Sequence, residues 1–444
     1  MSPLRVRELL LLVLAGLIGA VGAVTVASAR LGRTSLAPLI GVGVLFAIFL
    51  AMHVLVRWRI KHADPLLLPL VGVLTAIGLV SLYRLSPAVA EVQARWVAIG
   101  AAVFAAVVFF LPDHRILERY RYIIGLVGLL LLVATMIFGQ NLSQSGAGAR
   151  LWIPIGGGQT VQLGEVSKIL VVIFLAGYLR DHREVLAIPT QRHLGVQLPA
   201  GRHLAPMLAF CLIALALAGV LNDFGTALLF FGIFLAMLYL ASGRIAYVAA
   251  GTGAFLVGCV GVWLTVPKIR VRVDTWLHPF NDPLGTGYQM VQSLYALGEG
   301  GLFGPGLGKG LLISESGATK IPAQKTDFIF SAPADELGFV GGVAIILIVL
   351  LLVGRGLAIA SRANDGFSKL LAAGLTTAIG LQTLVILGGI VRLFPLTGVT
   401  FPFMSYGGSS VVTNFLLVAL LLIISHRSAA PQRLRGSSDE GLVA

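Results

Sequence analysis

The sequence predicts an all-α, polytopic membrane protein of about twelve transmembrane helices with one large extramembrane loop. Three observations carry that fold class. Of the 444 residues, 57% are hydrophobic and 11% charged, and the mean hydropathy of +0.94 lies far above that of a soluble domain. Apolar runs recur at lengths that suit a bilayer core of about 30 Å, which takes roughly 20 helical residues to cross. Charged residues collect between those runs, and the basic ones favour alternate gaps.

The first run, 8–29, follows the basic start "RVRE" and ends in "VASAR", which imitates a secretory signal with a small-residue cleavage site. It outlasts the roughly 7–15 apolar residues of a signal core, and more runs follow, so an uncleaved helix is expected. The second, 36–56, stops at the basic "RWRIK". Proline and charge bound the third and fourth, 66–83 and 96–111. A fifth, 122–138, leads into a gap at 139–161 rich in glycine. The sixth, 162–179, carries ionisable residues inside its apolar stretch; the seventh and eighth, 204–221 and 224–241, are separated by "ND"; the ninth is 245–267. The gap 268–335 is the longest. Loops of that length are usually functional, and its aromatic residues, punctuated by Gly and Pro, predict a segment folded against the membrane surface. Runs 336–354, 367–391 and 408–425 complete the twelve, and a short polar tail is expected to be disordered. There is no clear internal repeat.

With twelve crossings both ends share a side, and the short loops on that side hold nineteen Lys and Arg, Arg5 among them, against six opposite. This positive-inside pattern predicts cytoplasmic termini. Topology therefore accounts for the net charge of +13, and nucleic acid is not expected as a partner. Cys211 and Cys259 lie in separate predicted helices, so neither a disulfide framework nor a zinc site is indicated.

Several stretches carry chemistry. The glycines of "GPGLGKG" invite a phosphate-loop reading, which fails because Phe303 stands where glycine is needed and Gly310 where Ser or Thr is needed. Tight turns over a membrane surface suit them better. Asp327 is followed by "FIF", which places a carboxylate at an apolar boundary where burial raises its proton affinity and suits it to general-base work. The plain alternative is a cap on the helix that follows. Glu165 and Lys168 of "GEVSK" fall one turn apart on one helix face, as a neutralised pair or as the lining of a polar cavity. Asp223, in "LNDFGTALL", reads as a helix N-cap. In "TFPFMSYGGSS", the glycines permit close approach and the serines offer hydroxyls beside an apolar run. They line a ligand cavity, or they are a small-residue packing surface.

"RLWIPIGG" leading into "GEVSKI", then "NDFGTALL", "WLHPFNDPLGTGYQMVQSL", "GGLFGPGLGKG", "TDFIF" with "DELG", and "FPFMSYGGSS" resemble, in matching order, the shape, elongation, division and sporulation (SEDS) family, which includes RodA and FtsW. The "DPLLLPLVGVLTAIGLVSLYRL" stretch and the short tail look closest to RodA-like proteins of high-GC Gram-positive bacteria. The resemblance implies a ten-helix core at 63–427, with residues 1–62 as an added two-helix unit, 268–335 as the extracellular loop and 428–444 as a cytoplasmic tail.

It also implies a peptidoglycan glycosyltransferase of the plasma membrane. Such an enzyme joins lipid II into β-1,4-linked glycan strands on the external side by inverting transfer, releasing undecaprenyl pyrophosphate beside a class B penicillin-binding protein. By the same resemblance Asp327 is the catalytic residue. Trp152, Glu165, Lys168, Asp282, Gln289, Ser293, Lys325, Ser405, Tyr406, Gly407, Gly408, Ser409 and Ser410 are the expected substrate-binding residues. A divalent cation, Mg or Mn, is raised by the pyrophosphate, but no ligand cluster in the sequence specifies one. Three departures from the family pattern stand out: "QLGEVSK" for "QPSELAK", Pro333 and Asp335 in "SAPADELG", and Thr397 where division-type members carry lysine. None removes the catalytic group. A lipid II flippase is the competing class and a division-type polymerase the competing subclass. A flippase must open to the cytoplasm, whereas the motif-rich loops are almost all predicted outside.

Overall fold

The computed structural model describes residues 3–111, 113–141, 150–156, 159–187, 191–193, 196–198, 201–313 and 319–429. Most of the expected polar tail, from residue 430 on, lies outside the described residues. In chain order the elements are α1 (Pro3–Leu31), α2 (Leu39–Arg59), α3 (Leu67–Leu85), α4 (Pro87–Phe110), a short α5 (Ile116–Arg119) and α6 (Arg121–Phe138). The hairpin β1 (Ile153–Gly156) and β2 (Gln159–Val161) precedes α7 (Leu163–Ala187), and β3 (Gln191–His193) and β4 (Val196–Leu198) precede α8 (Gly201–Val220). Then come α9 (Phe224–Ser242), α10 (Ile245–Thr265), α11 (Pro267–Leu277), α12 (Tyr288–Glu299), α13 (Ser331–Arg362), α14 (Gly366–Ile390) and α15 (Gly408–Ala429).

Twelve long helices fall on the twelve predicted runs. Among the described residues, ten are long and apolar enough to cross a membrane. The other two are α7, whose apolar stretch is interrupted by Glu165, Lys168 and Arg180, and α8, apolar over Ala205–Val220. The chain is a multi-pass membrane protein. Its two small hairpins depart from an all-helical expectation, and β1 pairs with β2 antiparallel from Ile153 opposite Val161.

The centre is built by α14 and α15, with 18 of 25 and 16 of 22 residues buried. These pack against α4, α7, α9 and α13. By contrast, Tyr247 is the only buried residue of α10. A helix apolar all round that leaves Leu256, Val257 and Leu264 exposed is one that faces lipid.

Leu4 at the start of α1 and Ala429 at the end of α15 line one cavity, so the two ends of the described chain meet on one face, here the terminal face. At the opposite end of α1, Val26 and Ala29 lie against Gly308 of the long loop, which defines the loop face. Arg5 corrects the charge reading: it is no loop cation but 1% exposed, ion-paired to Glu8 and bonded to the Ala63 carbonyl. Glu8 in turn lies 2.8 Å from His53 Nδ1 on α2. Buried charge persists when it is paired and hydrogen-bonded, and this set locks α1 and α2 to the segment entering α3.

The long loop is ordered by α11, a 3₁₀ turn at Pro279–Asn281, α12 and a run of turns. Gly301, Gly304, Gly306 and Gly308 all have positive φ, which fits the tight-turn reading of "GPGLGKG". Glu336 collects these turns: its carboxylate accepts from Arg84 Nε at 2.8 Å and Gly308 N at 2.9 Å. Gly338, at φ 66° and ψ −164°, kinks α13 and separates Ser331–Leu337 from the long spanning segment. A Cβ there would lie 2.5 Å from Gly304 N. Gly338→Ala is therefore expected to cost about 2–4 kcal/mol, combining a backbone region reserved for glycine with a steric clash. Thermal unfolding in detergent would read this as a drop of several degrees.

Candidate active site

Asp327 sits on the loop face in a turn whose amide bonds back to the Ala323 carbonyl at 3.0 Å. The three residues after it, Phe328, Ile329 and Phe330, are 0%, 0% and 4% exposed and anchor the turn in the core. The helix-cap alternative does not hold, because Phe330 occupies the N-cap of α13 without a side-chain bond. Burial pushes the Asp327 carboxyl up to about 6, against the smaller opposing pulls of the Thr326 hydroxyl and the Arg272 guanidinium. A Cβ on Gly398, which has φ +77°, would come 3.6 Å from Asp327 Oδ2, so the bare glycine leaves room beside the carboxylate.

Residues 400–410 hold this turn in place. Tyr406 N donates to the Lys325 carbonyl at 2.8 Å, and Ser405 Oγ donates to the Thr326 carbonyl at 2.6 Å while accepting from Phe401 N at 2.8 Å. Phe401 stacks on Phe330. From α4, Gln93 donates to the Ser405 carbonyl at 2.9 Å and accepts from Gly407 N at 3.2 Å. One helical turn away from Gln93, Trp96 packs on Gly408, where a Cβ would fall 2.2 Å from the indole. The two glycines thus make room for backbone clamping and for an aromatic ring.

The same string reaches the intramembrane pair. Lys168 Nζ lies 2.9 Å from Glu165 Oε2 and 2.6 Å from Gln382 Oε1. Gln382 Nε2 donates to the Thr400 carbonyl at 2.8 Å and to its hydroxyl at 3.1 Å, and that hydroxyl meets Ser410 Oγ at 2.7 Å. Ser409 Oγ accepts from Gln162 N at 2.7 Å, which docks the end of the β1–β2 hairpin on α15. Trp152 begins that hairpin and is tied by a backbone bridge to Gln140. Ser405, Ser409 and Ser410 are therefore buried joints between segments.

Asp223 caps α9, accepting from Thr226 N at 3.0 Å and Thr226 Oγ1 at 2.6 Å, as its sequence position predicts. Burial raises its pKa; Glu165 adds repulsion and Arg272 opposes it. Arg272 on α11 thus acts on both Asp327 and Asp223. The helix carrying it is fixed by Trp276, whose indole donates to the Arg392 carbonyl at 2.9 Å while Arg392 Nε returns a bond to the Trp276 carbonyl at 3.1 Å. Among the basic residues of the long loop, Arg272 is the one whose charge acts on Asp327. Arg270 instead bonds the Trp263 and Leu264 carbonyls.

The remaining predicted positions lie on the loop's own scaffold. Both Asp282 oxygens accept bonds from Gly285 and Thr286 within an exposed turn, which lowers its pKa. Gln289 is half-buried on α12, and Ser293 is fully buried there with its hydroxyl unpartnered among the described residues. No described hydrogen bond joins these three to Asp327 or Lys168. Lys325 contributes its carbonyl to the clamp. No three His, Cys, Asp or Glu come together among the described residues. Gln382 and Gln93 escaped the sequence reading; the signal available was a lone amide inside an apolar helix, which is costly unless bonded.

A membrane bundle that gathers one half-buried, elevated carboxylate, a guanidinium whose charge acts on it and an intramembrane ion pair around a single polar string defines an integral-membrane protein with a polar site at one face. Residues 63–430 match the FtsW/RodA/SpoVE family, described as cell cycle proteins. The chain belongs to that family. It is 40% identical over 407 residues to the peptidoglycan glycosyltransferase RodA of Mycobacterium tuberculosis (strain ATCC 25618 / H37Rv), covering 89% of this chain and 85% of the relative. To RodA of Mycobacterium leprae (strain TN) it is 39% identical over 443 residues, covering 97% and 92%. Among solved structures, one from a peptidoglycan synthase complex that coordinates polymerization and crosslinking superposes with a TM-score of 0.66 at 26% identity, covering 83% of this chain and 98% of that one. Rod shape determining protein RodA of Thermus thermophilus gives 0.58 at 25%, with coverage of 83% and 98%.

Proposed function

We propose that the chain is a peptidoglycan glycosyltransferase of the elongation type that polymerises lipid II at the loop face, with Asp327 as general base. The carrying observation is the Asp327 carboxyl, raised to about 6, with open room beside it at Gly398, the charge of Arg272 acting on it, and its turn clamped by the 400–410 string. The 40% identity to RodA relatives, against 31% to an FtsW of Geobacter metallireducens, supports the elongation role.

The donor sugar is α-linked to a pyrophosphate and the product link is β-1,4, so the transfer inverts in one in-line attack. The acceptor 4-hydroxyl oxygen bonds to the donor C1 as the C1–O bond to pyrophosphate breaks. The hydroxyl proton passes to Asp327, and undecaprenyl pyrophosphate leaves with the electron pair. At neutral pH a group titrating near 6 is ionised yet retains basicity, the compromise that general-base work needs. Arg272 supplies positive charge beside the developing oxyanion. Glu165, Lys168 and Gln382 hold the wall behind Thr400 and Ser410 and position the string. Trp152, Asp282, Gln289, Ser293, Lys325 and residues 405–410 order the surfaces on which substrate lies.

The excess of basic residues in loops of the terminal face supports cytoplasmic termini and an extracellular site. Residues 1–62 form an added unit before the 63–427 core, and the partner is a class B penicillin-binding protein that cross-links the product. The distinguishing experiment uses purified full-length protein with its partner and lipid II in detergent, where there are no leaflets to cross. Long glycan is expected; a flippase would make none. The rate should fall about tenfold per pH unit well below pH 6, as the base is protonated. A rate flat from pH 5 to about 8 would remove Asp327 from that role.

A further inference from the structure

On the terminal face, far along α13 and α15 from the proposed site, lies a cavity of about 640 Å³ between the start of α1, the 62–66 segment and the last turns of α13 and α15. Its size falls in the range of small-ligand sites, about 300–1,000 Å³. Three arginines line it: Arg7, Arg355 and Arg362. Arg355 is already neutralised, with Nε 3.1 Å from Asp64 Oδ2. Arg7 and Arg362 are exposed and make no ion pair among the described residues. Apart from His62, Asp64, Ser425 and Ser428 the rest of the wall is apolar, and two of its residues, Leu4 and Leu10, are 41% and 63% exposed on α1. The cavity therefore joins two uncompensated cations to a hydrocarbon surface continuous with the lipid-facing side of the helix.

The geometry points to a binding site for an anionic phospholipid: phosphate between Arg7 and Arg362, acyl chains along Leu4 and Leu10. A free phosphate matches the arginines but leaves the apolar walls unused, and a zwitterionic lipid carries its own cation to the same place. Two arginines at a membrane surface suffice for roughly tenfold selectivity.

Full-length protein is reconstituted in nanodiscs of equal phosphatidylcholine and phosphatidylglycerol, then released for native mass spectrometry of retained lipid. Wild type is expected to keep phosphatidylglycerol about tenfold over phosphatidylcholine. The exposed pair change Arg7→Gln with Arg362→Gln should bring that ratio near one without moving the unfolding midpoint. Ala358→Trp, which fills the cavity and leaves the charges alone, should lose the lipid too. Excess inorganic phosphate should leave the ratio unchanged. A ratio indifferent to both variants, loss in the arginine variant but not in Ala358→Trp, or displacement by phosphate would overturn the assignment. So would retention that appears only after residues 430–444 are removed, since the occupant would then be the chain's own end.

Discussion

Asp327→Asn is expected to abolish glycan polymerisation, by roughly 10²–10⁴-fold, while lipid II still binds and the protein still folds. The amide keeps the shape but has no usable basicity. A second readout follows from the direction of the shift. The folded-state pKa of Asp327 is raised from 3.8 to about 6, so the folded protein holds the proton more tightly than the unfolded chain. Its carboxyl favours the fold below pH 4, and that contribution is lost as pH rises through about 6. The asparagine variant escapes the loss, so it should unfold at a higher temperature than wild type at pH 8 and at the same temperature near pH 4. A variant that is inactive and also less stable at pH 8 would mean that the change broke the turn.

The second large effect concerns the intramembrane pair. Lys168→Met strands the Glu165 carboxylate and the Gln382 carbonyl, both of which Lys168 Nζ now serves. Breaking a buried pair from one side costs about 3–5 kcal/mol. Glu165→Gln strands the ammonium in turn. The double variant should cost less than the sum of the two, with a coupling of about 0.5–3 kcal/mol. Unfolding midpoints of the four proteins of this cycle give the number. Strict additivity would mean that the two residues do not stabilise one another.

The helices were legible because their signal is local: twenty apolar residues in a row admit few other structures. Glu165 with Lys168, and Asp223 with Thr226, were legible for the same reason, being partners three residues apart. The family resemblance carried Asp327. What the sequence hid was the work done across hundreds of residues. Gln93 and Ser405 meet at a separation of 312 residues, and Lys168 and Gln382 at 214. Nothing in the string itself says that Ser405 bonds a backbone carbonyl, Ser409 a backbone amide and Ser410 the Thr400 hydroxyl rather than a sugar. Arg5 misled for a related reason: a basic residue at the start of a helix looks like a loop charge until Glu8 and His53 are seen around it.

Because the Asp327 turn is held by Ser405 and Tyr406, the site cannot form until the segment between α14 and α15 has been made. At about 5–20 residues per second, Gln93 emerges from the ribosome some 15–60 s before the serine it will grip. Asp327 follows Gln93 and precedes Ser405 by 78 residues, so for about 4–16 s of that interval the nascent chain carries this carboxylate on an unclamped turn. A product cut short before Ser405 would carry Asp327, Arg272 and the ion pair without the clamp that holds the turn. Synthesis of the protein thus contains its own delay: the turn that carries Asp327 is clamped only once the segment following α14 has been made.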